Sequence, residues 1–186
     1  MRNIQLLILG VIFTGFRNQQ LFSLASSCPP VRVSQVLLNQ TTTDSQYIEY
    51  ITDVPDLEAF TLSYWVKLLK TSSVASLFTY VANDTDKTRL TASLTEKSRS
   101  QFLSLQINDV AIFTAKVHQG LNAGEWHHIL VSWHGATGTW GAYVDGVLLE
   151  SGRQLLSQGM LVKGGGRAFS GYDLTTTQHD RKERLG

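Results

Sequence analysis

The sequence predicts an all-β fold, an antiparallel jelly-roll β-sandwich with a single core. From residue 31 onward no segment sustains the apolar period of about 3.6 residues that an amphipathic helix needs. Runs rich in Val, Ile, Thr, Tyr, Phe and Trp instead recur between short polar turns, which is typical of strands. Many short strands favour a sandwich or a barrel, and 186 residues suit a jelly roll that closes two sheets over one core.

Nine strands are predicted from these runs. We place them at 46–51, 60–68, 74–81, 88–94, 101–107, 110–115, 127–133, 140–144 and 147–150. Asp145-Gly146 is the strongest hairpin signal, because both residues tolerate the positive φ angles of a two-residue turn. Asn108-Asp109 is a weaker signal of the same kind, and residues 134–139, with two glycines, predict a longer reversal. The turns together predict an antiparallel meander.

The amino terminus is typical of an export signal. A short positive start, Met1-Arg2-Asn3, precedes an apolar run from Ile4 to Phe16. A membrane span needs about 20 apolar residues, whereas this run has the length of a secretory signal. Ser23-Leu24-Ala25 supplies small residues for cleavage after Ala25, and cleavage after Ser27 is an alternative. We therefore predict a secreted or cell-surface protein with no direct membrane insertion after the signal is removed; a buried amphipathic first helix is the alternative.

Four segments follow from this organisation. The signal peptide covers 1–25, a short segment covers 26–30, the folded domain covers 31–175 and a tail covers 176–186. The tail carries a charged run without an apolar face, so we expect it to be disordered. Three consecutive glycines at 164–166 indicate a flexible segment.

Composition excludes several classes of function. The formal net charge is +1, with no block of like charge in the body, which argues against nucleic acid or an anionic membrane as partner. The single Cys28 excludes an internal disulfide, a four-cysteine zinc site and a Cys-x-x-Cys redox pair. In an oxidising compartment Cys28 would form an intermolecular bridge or remain an inert thiol.

Two Asn-x-Thr triplets agree with export. They begin at Asn39 and Asn83. In an exported chain, both would be glycan acceptors on exposed loops.

No catalytic motif is recognisable. His127 and His128 are adjacent in a predicted strand and should point to opposite faces, which disfavours a shared metal site with His134. The chain lacks a Gly-x-Ser-x-Gly elbow and a Gly-x-Gly-x-x-Gly fingerprint, and the glycines at 164–166 lack the Lys-Ser/Thr of a phosphate loop. We predict a protein that is not an enzyme. A glycan hydrolase would need two suitably spaced carboxylates, which the sequence does not locate.

Tryptophans and one acidic loop have two interpretations each. The tryptophans could form a carbohydrate-stacking face, but we favour the core for them because Trp is highly buried on average. They are Trp65, Trp126, Trp133 and Trp140. The loop at 83–87 has closely spaced oxygen donors that could contribute to a calcium site, although Lys87 places a positive charge there.

Four segments resemble the pentraxin family in order and spacing across roughly residues 31–175. They are FTLSYW (60–65), LFTYVANDTD (77–86), GEWHHILVSW (124–133) and GTWGAYVDG (138–146). The family signature His-x-Cys-x-Ser/Thr-Trp is matched by His128, Ser132 and Trp133, with leucine in place of the cysteine. The style is most similar to neuronal pentraxins and the pentraxin domains of adhesion receptors. The resemblance implies a jelly-roll sandwich, extracellular location, calcium-dependent ligand binding and often a ring of subunits.

Departures from the family pattern qualify those implications. The resemblance places the family's disulfide cysteines at Ser63 and Leu130, so both halves are absent together. It places the calcium ligands at Asp86, followed by Lys87, and at Asp173. Two carboxylates and a lysine fall short of the 6–8 oxygen donors that calcium prefers, so we expect calcium binding to be weak or absent.

The family fold also continues beyond the ligand cluster. We therefore expect the C-terminal strands of the family fold to be missing here. Either a partner supplies these strands, or the chain is an incomplete or alternatively spliced product. The predicted function is a secreted or cell-surface, non-enzymatic, ancestrally calcium-dependent binding module. The alternative is a calcium-independent structural or protein-interaction domain, as a fragment or splice form of a larger adhesion receptor. A homo-oligomer is compatible with both, and the sequence does not identify the ligand.

Overall fold

The computed structural model describes residues 2–7, 35–40, 47–51, 53–68, 74–82 and 89–171. Within these ranges the chain forms strands joined mainly by tight turns. They are β1 (Arg2–Leu7), β2 (Gln35–Gln40), β3 (Ile48–Tyr50), β4 (Ala59–Leu68), β5 (Val74–Val81), β6 (Arg89–Lys97), β7 (Ser100–Ile107), β8 (Val110–Val117), β9 (Trp126–His134), β10 (Thr139–Val144), β11 (Val147–Arg153) and β12 (Arg167–Ser170). A single 3-10 turn, Leu155–Ser157, interrupts them.

The strands form two antiparallel sheets. Sheet A has the order β11-β10-β9-β4-β1-β2, and sheet B has the order β3-β12-β5-β6-β7-β8. The predicted all-β sandwich is therefore confirmed, and each of the nine predicted strands is present. The meander prediction also holds for β5 to β8 and for β9 to β11. In the described part of the chain no helix is long and apolar enough to cross a membrane.

Strict alternation along β4 and β9 builds the core. Every second residue of β4 from Phe60 to Leu68 is buried, and in β9 the same holds for Ile129, Val131 and Trp133. Residues two apart point to the same face of a strand, so this period delivers one apolar face to the interior. Each fully buried large apolar side chain contributes about 1.5–3 kcal/mol. The side chains that alternate with them form the outer face of sheet A.

Three two-residue turns have positive φ at both central positions. Asp145-Gly146 and Asn108-Asp109 do so as predicted. Ser98-Arg99 is a third such turn that the sequence analysis did not find, because neither residue is a glycine or an asparagine. Its geometry follows from the β6–β7 pairing, which continues to Lys97 opposite Ser100 and leaves only two residues for the reversal.

The prediction of a flexible glycine segment at 164–166 was wrong. A Cβ added to Gly166 would lie 2.1 Å from the Val81 carbonyl oxygen, and one added to Gly164 would lie 2.5 Å from the Val54 carbonyl oxygen. These glycines are present because neighbouring backbone passes too close for a side chain. The segment leads directly into β12, a short strand between β3 and β5 that the sequence analysis did not predict.

Two further strands fall outside the predicted set. β1 lies within the predicted signal peptide, and it pairs with both β2 and β4. Residues 2–7 are thus a strand and not part of a first helix, while removal of 1–25 stays a prediction. Asn39 lies inside β2 and pairs with Asn3, so its expected position on a loop was wrong, because the extended run continues to Gln40. Cys28 and the predicted tail at 176–186 lie outside the described residues.

Two buried tyrosines differ in how their hydroxyls are satisfied. The Tyr80 hydroxyl donates to the Lys163 carbonyl oxygen at 2.6 Å and accepts from the Gly166 amide at 3.0 Å. The Tyr64 hydroxyl has no hydrogen-bond partner among the described residues. Burial raises the pKa of the Tyr64 hydroxyl far above its ordinary value, so it stays protonated.

We expect Tyr64→Phe to leave the free energy of unfolding unchanged or raise it by up to about 1 kcal/mol, because it removes an unpaired buried polar group. The matched Tyr80→Phe should lower it by about 1–2 kcal/mol, because two partly buried backbone groups lose their hydrogen-bond partner. Denaturant unfolding of both variants measures the contrast. Equal destabilisation by the two substitutions would contradict it.

The register of β4 and β9 also tests the resemblance. Ser63 lies directly opposite Leu130, the two positions at which the family's cysteines would fall. Directly opposed residues of antiparallel strands have Cα atoms about 4.5 or 5.5 Å apart, which lies within the range that a disulfide bridges.

A Ser63→Cys, Leu130→Cys double variant should therefore form a disulfide without backbone movement. Oxidation of that variant should raise its free energy of unfolding by about 2–4 kcal/mol relative to its reduced form. Unfolding in the presence and absence of reductant measures the difference, and the serine-to-alanine, leucine-to-alanine double variant controls for redox effects elsewhere. Persistent free thiols in the folded double variant would show that the register is different.

Candidate functional site

The residues predicted to bind calcium lie outside the described ranges, but their flanks are described. Asp86 and Asn83 belong to the connection from β5 to β6. This connection follows Val81, the β5 residue that pairs with Arg167 of β12. Asp173 follows Gly171, whose amide donates to the Ser76 carbonyl oxygen at 3.0 Å. The described residues that flank the two predicted ligand segments therefore lie near opposite ends of β5, at Val81 and beside Ser76. In an extended strand these two positions are roughly 16 Å apart.

Between these flanks lies the outer face of β3, β12 and β5. Thr79 and Phe169 point away from the core here, yet they are only 1% and 6% exposed. The Ser76 and Thr79 hydroxyls lie 3.0 Å apart, and the Arg167 guanidinium lies 5.1 Å from the centre of the Phe169 ring. This part of sheet B is a tightly packed platform.

An ion pair dominates the electrostatics of the platform. Arg167 donates from Nε and Nη2 to the two carboxylate oxygens of Glu49, at 2.7 and 2.8 Å. The hydrogen bond from Arg167 lowers the pKa of Glu49 below its ordinary value. A bidentate pair of this kind engages both carboxylate oxygens, which reduces their availability to a cation.

The described donors of the platform do not fit a calcium site. Glu49 is bound by a cation of the protein itself, and the hydroxyls of Ser76 and Thr79 bond to each other. In the ranges that the structure describes, no group of three or more His, Cys, Asp or Glu side chains could hold a metal ion. A calcium site here would depend on residues outside those ranges.

The remainder of the outer face of sheet B is rich in hydroxyls. The Ser93 and Ser104 hydroxyls of β6 and β7 lie 2.8 Å apart across the ladder. Thr91 and Thr95 project from the same face of β6, and both are half-buried. Such a face can donate and accept hydrogen bonds with a polar ligand.

The three family-signature residues lie on two faces of β9. Trp133 is 2% exposed in the core, and its indole Nε1 donates to the Ser157 hydroxyl at 3.1 Å. His128 and Ser132 lie on the outer face of sheet A, where His128 Nε2 lies 2.8 Å from the Ser63 hydroxyl. The signature residues therefore have separate structural roles and do not converge on one site.

Strand alternation separates the histidines as predicted. His127 is buried and its Nε2 accepts from the Asn122 amide at 3.1 Å, so the ring proton is on Nδ1, which donates to Asp145 at 2.8 Å. The exposed His134 lies within 3.2 Å of the Thr137 hydroxyl. His127, His128 and His134 therefore each have a hydrogen-bond partner within the protein.

The pair of His127 and Asp145 was missed by the sequence analysis, which assigned Asp145 to the turn alone. The Asp145 carboxylate also accepts from the His128 amide at 2.7 Å and so fixes the β10–β11 turn against β9. Partial burial raises the pKa of Asp145, but hydrogen bonds from His127 and the His128 amide outweigh it, and the net pKa is lowered. No sequence signal reports this contact, since the two residues are far apart in the chain.

The tryptophans divide between the core and the opposite face. Trp133 lies in the core, and Trp140 packs partly buried against it, with its ring stacked 4.6 Å from that of Phe113. The core prediction was wrong for Trp65 and Trp126, because the register places both on the outer face of sheet A. There the ring of Trp65 lies 5.2 Å from that of His128.

Comparisons with known proteins agree with this architecture. Residues 40–178 match the family model described as the concanavalin A-like lectin/glucanases superfamily. The chain is 31% identical over 142 residues to human neuronal pentraxin-1, covering 73% of this chain and 31% of that protein. It is 24% identical over 134 residues to C-reactive protein 1.4 of Limulus polyphemus, covering 71% of this chain and 54% of the relative.

Solved structures show the same fold. The native heptameric SAP-like pentraxin from Limulus polyphemus superposes with a TM-score of 0.63 at 15% identity, covering 91% of this chain and 64% of that one. The extracellular region of zebrafish Gpr126/Adgrg6 gives a TM-score of 0.50 at 15% identity, covering 91% of this chain and 28% of that one. The chain thus spans less than two thirds of the length of each of these relatives. Because the family model matches most of its length, the chain belongs to the concanavalin A-like lectin/glucanase superfamily and carries a pentraxin/laminin-G-like domain.

Proposed function

We propose that this chain is a secreted or cell-surface, non-enzymatic binding module whose recognition surface is the outer face of sheet B. The observation that carries the proposal is the hydroxyl-rich outer face of β6 and β7, where Thr91, Ser93, Thr95 and Ser104 are half-buried. The neighbouring platform of β3, β12 and β5 is largely closed to solvent and supports this face from the side. The relatives support a binding role, since they include neuronal pentraxin-1 and C-reactive protein 1.4. The apolar leader at 4–16 supports export.

Recognition by this module has at most a weak dependence on calcium. Lys87 follows the predicted ligand Asp86 in the sequence, and Arg167 already engages the Glu49 carboxylate. Like charges in close proximity raise the free energy of cation binding. The role that these features favour is a calcium-independent interaction with a protein or another polar extracellular ligand. The heptameric Limulus relative supports self-association as a further property of the chain.

Calcium in large excess should leave the thermal unfolding midpoint of the secreted chain unchanged relative to chelator. Calcium at about 100 times the Kd of a native-state site would raise the free energy of unfolding by about 2.7 kcal/mol, a change that calorimetry readily detects. Asp86→Ala and Asp173→Ala should then behave like the control Asp53→Ala, a change at another exposed carboxylate.

Weak calcium dependence would be contradicted if calcium raised the unfolding midpoint and if Asp86→Ala or Asp173→Ala, but not Asp53→Ala, abolished that rise. The proposed binding role would not be affected by this result. Loss of a cooperative transition under both conditions would contradict the proposal that this chain is an autonomous module.

Secretion should yield a mature chain that begins at Ser26 and carries glycans at Asn39 and Asn83. Asn39→Gln and Asn83→Gln should each remove one glycan, and the double variant should match the mass of enzymatically deglycosylated protein. Intact-mass measurement and amino-terminal sequencing of medium from expressing cells test this. Recovery of unglycosylated protein inside the cell, still beginning at Met1, would contradict the extracellular location.

A further inference from the structure

A cavity of about 360 Å³ lies at one end of the sandwich, away from the outer face of sheet B. The connection from β8 to β9 forms one side of it, and the β10–β11 turn forms the other. Its volume lies within the usual range of small-ligand pockets, roughly 300–1,000 Å³. None of the roles described above uses this space.

The walls of the cavity are held in place by the fold. The side chain of Gln101 in β7 makes two hydrogen bonds to the backbone of Leu121 in the β8–β9 connection. Its Oε1 accepts from the Leu121 amide, and its Nε2 donates to the Leu121 carbonyl oxygen. On the other side, Asp145 fixes the β10–β11 turn through His127 and the His128 amide. The cavity is therefore preformed.

The cavity combines an apolar wall with a net negative charge. Val144, Val147 and Leu149 contribute apolar surface, while Glu125 and Asp145 contribute two carboxylates. Glu125 accepts one hydrogen bond within the protein and Asp145 accepts two, and each carboxylate has further lone pairs for a ligand donor. No lysine or arginine is among the described residues that line the cavity. His127 does not offset the charge, because its Nε2 accepts a hydrogen bond from the Asn122 amide and its Nδ1 proton is directed at Asp145.

This combination matches one ligand chemistry. An alkylammonium group carries three N–H donors for the carboxylates, and its methylene chain packs against apolar side chains. Val147 and Leu148, which also line the cavity, are 69% and 50% exposed, so apolar surface continues outward past the mouth. A ligand that continues beyond its ammonium arm, such as a polypeptide, would cover that surface. We propose that this cavity binds a lysine side chain presented by a protein partner.

The test uses the secreted full chain in chelator, which separates this cavity from any calcium-dependent binding. The probe is Nα-acetyl-lysine methylamide, followed through the methyl resonances of Val147 and Leu148 and the ring resonances of His127. We expect saturable shifts with this probe and none with its Nε-acetylated form, which keeps the length but lacks the charge. The proposal would be overturned if the His127 ring resonances did not shift with the probe, or if both probes caused equal shifts.

Two neutralising variants and one control locate the binding charge. Glu125→Gln and Asp145→Asn should each weaken binding about tenfold, a change of about 1.4 kcal/mol. Asparagine keeps an acceptor oxygen and tolerates the positive φ of position 145. Glu150→Gln removes an exposed carboxylate of β11 that does not line the cavity, so it should leave the affinity unchanged.

Equal weakening by all three variants would overturn the proposal, because it would show attraction to net charge only. Glu125→Gln keeps the test valid if Asp145→Asn unfolds, since the Glu125 side chain lies at the surface and contacts the Asn122 side chain. The free diamine 1,5-diaminopentane tests the source of the ammonium group. If this diamine binds more tightly than the lysine derivative, the proposal that a protein partner supplies the lysine is overturned, and the ligand is a small amine.

Discussion

The antiparallel register of β4 against β9 is the constraint on which the rest of the structure depends. It places Phe60 opposite Trp133 in the core and Ser63 opposite Leu130 on the outer face. A slip by one residue would exchange the two faces, so the buried apolar row strongly disfavours any other register. The same register directs His127 towards Asp145 and His128 towards Ser63, which separates the two histidines and assigns each a structural contact.

Much of this fold is predictable from sequence, and the exceptions have physical causes. Nine strands and the main turns follow from a period of two and from residues that tolerate positive φ. β12 escaped prediction because it is only four residues long and follows glycines, whose role in close backbone packing resembles flexibility in a sequence. β1 escaped it because an apolar amino-terminal run is equally typical of a secretory signal.

The candidate sites were less predictable than the fold. The resemblance placed the ligand positions at Asp86 and Asp173, but the ion pair of Arg167 with Glu49 and the contact of His127 with Asp145 join residues far apart in the chain. Neither pair has a local sequence signature, because its geometry exists only after the sheets have formed. The polar chemistry of this domain thus lies in two separate places, the platform on sheet B and the cavity at the end of the sandwich.

The position of β1 links processing of the chain to the completeness of sheet A. Its residues pair with β2 on one side and with Trp65 to Leu68 of β4 on the other. Cleavage after Ala25 would take this strand away and leave the backbone amides and carbonyls at that end of β4 without their partners. An unpaired strand edge is a template for another strand. In a processed chain the β4 edge would then be an acceptor, and whichever strand filled it, from β2 or from another polypeptide, would determine how sheet A is closed.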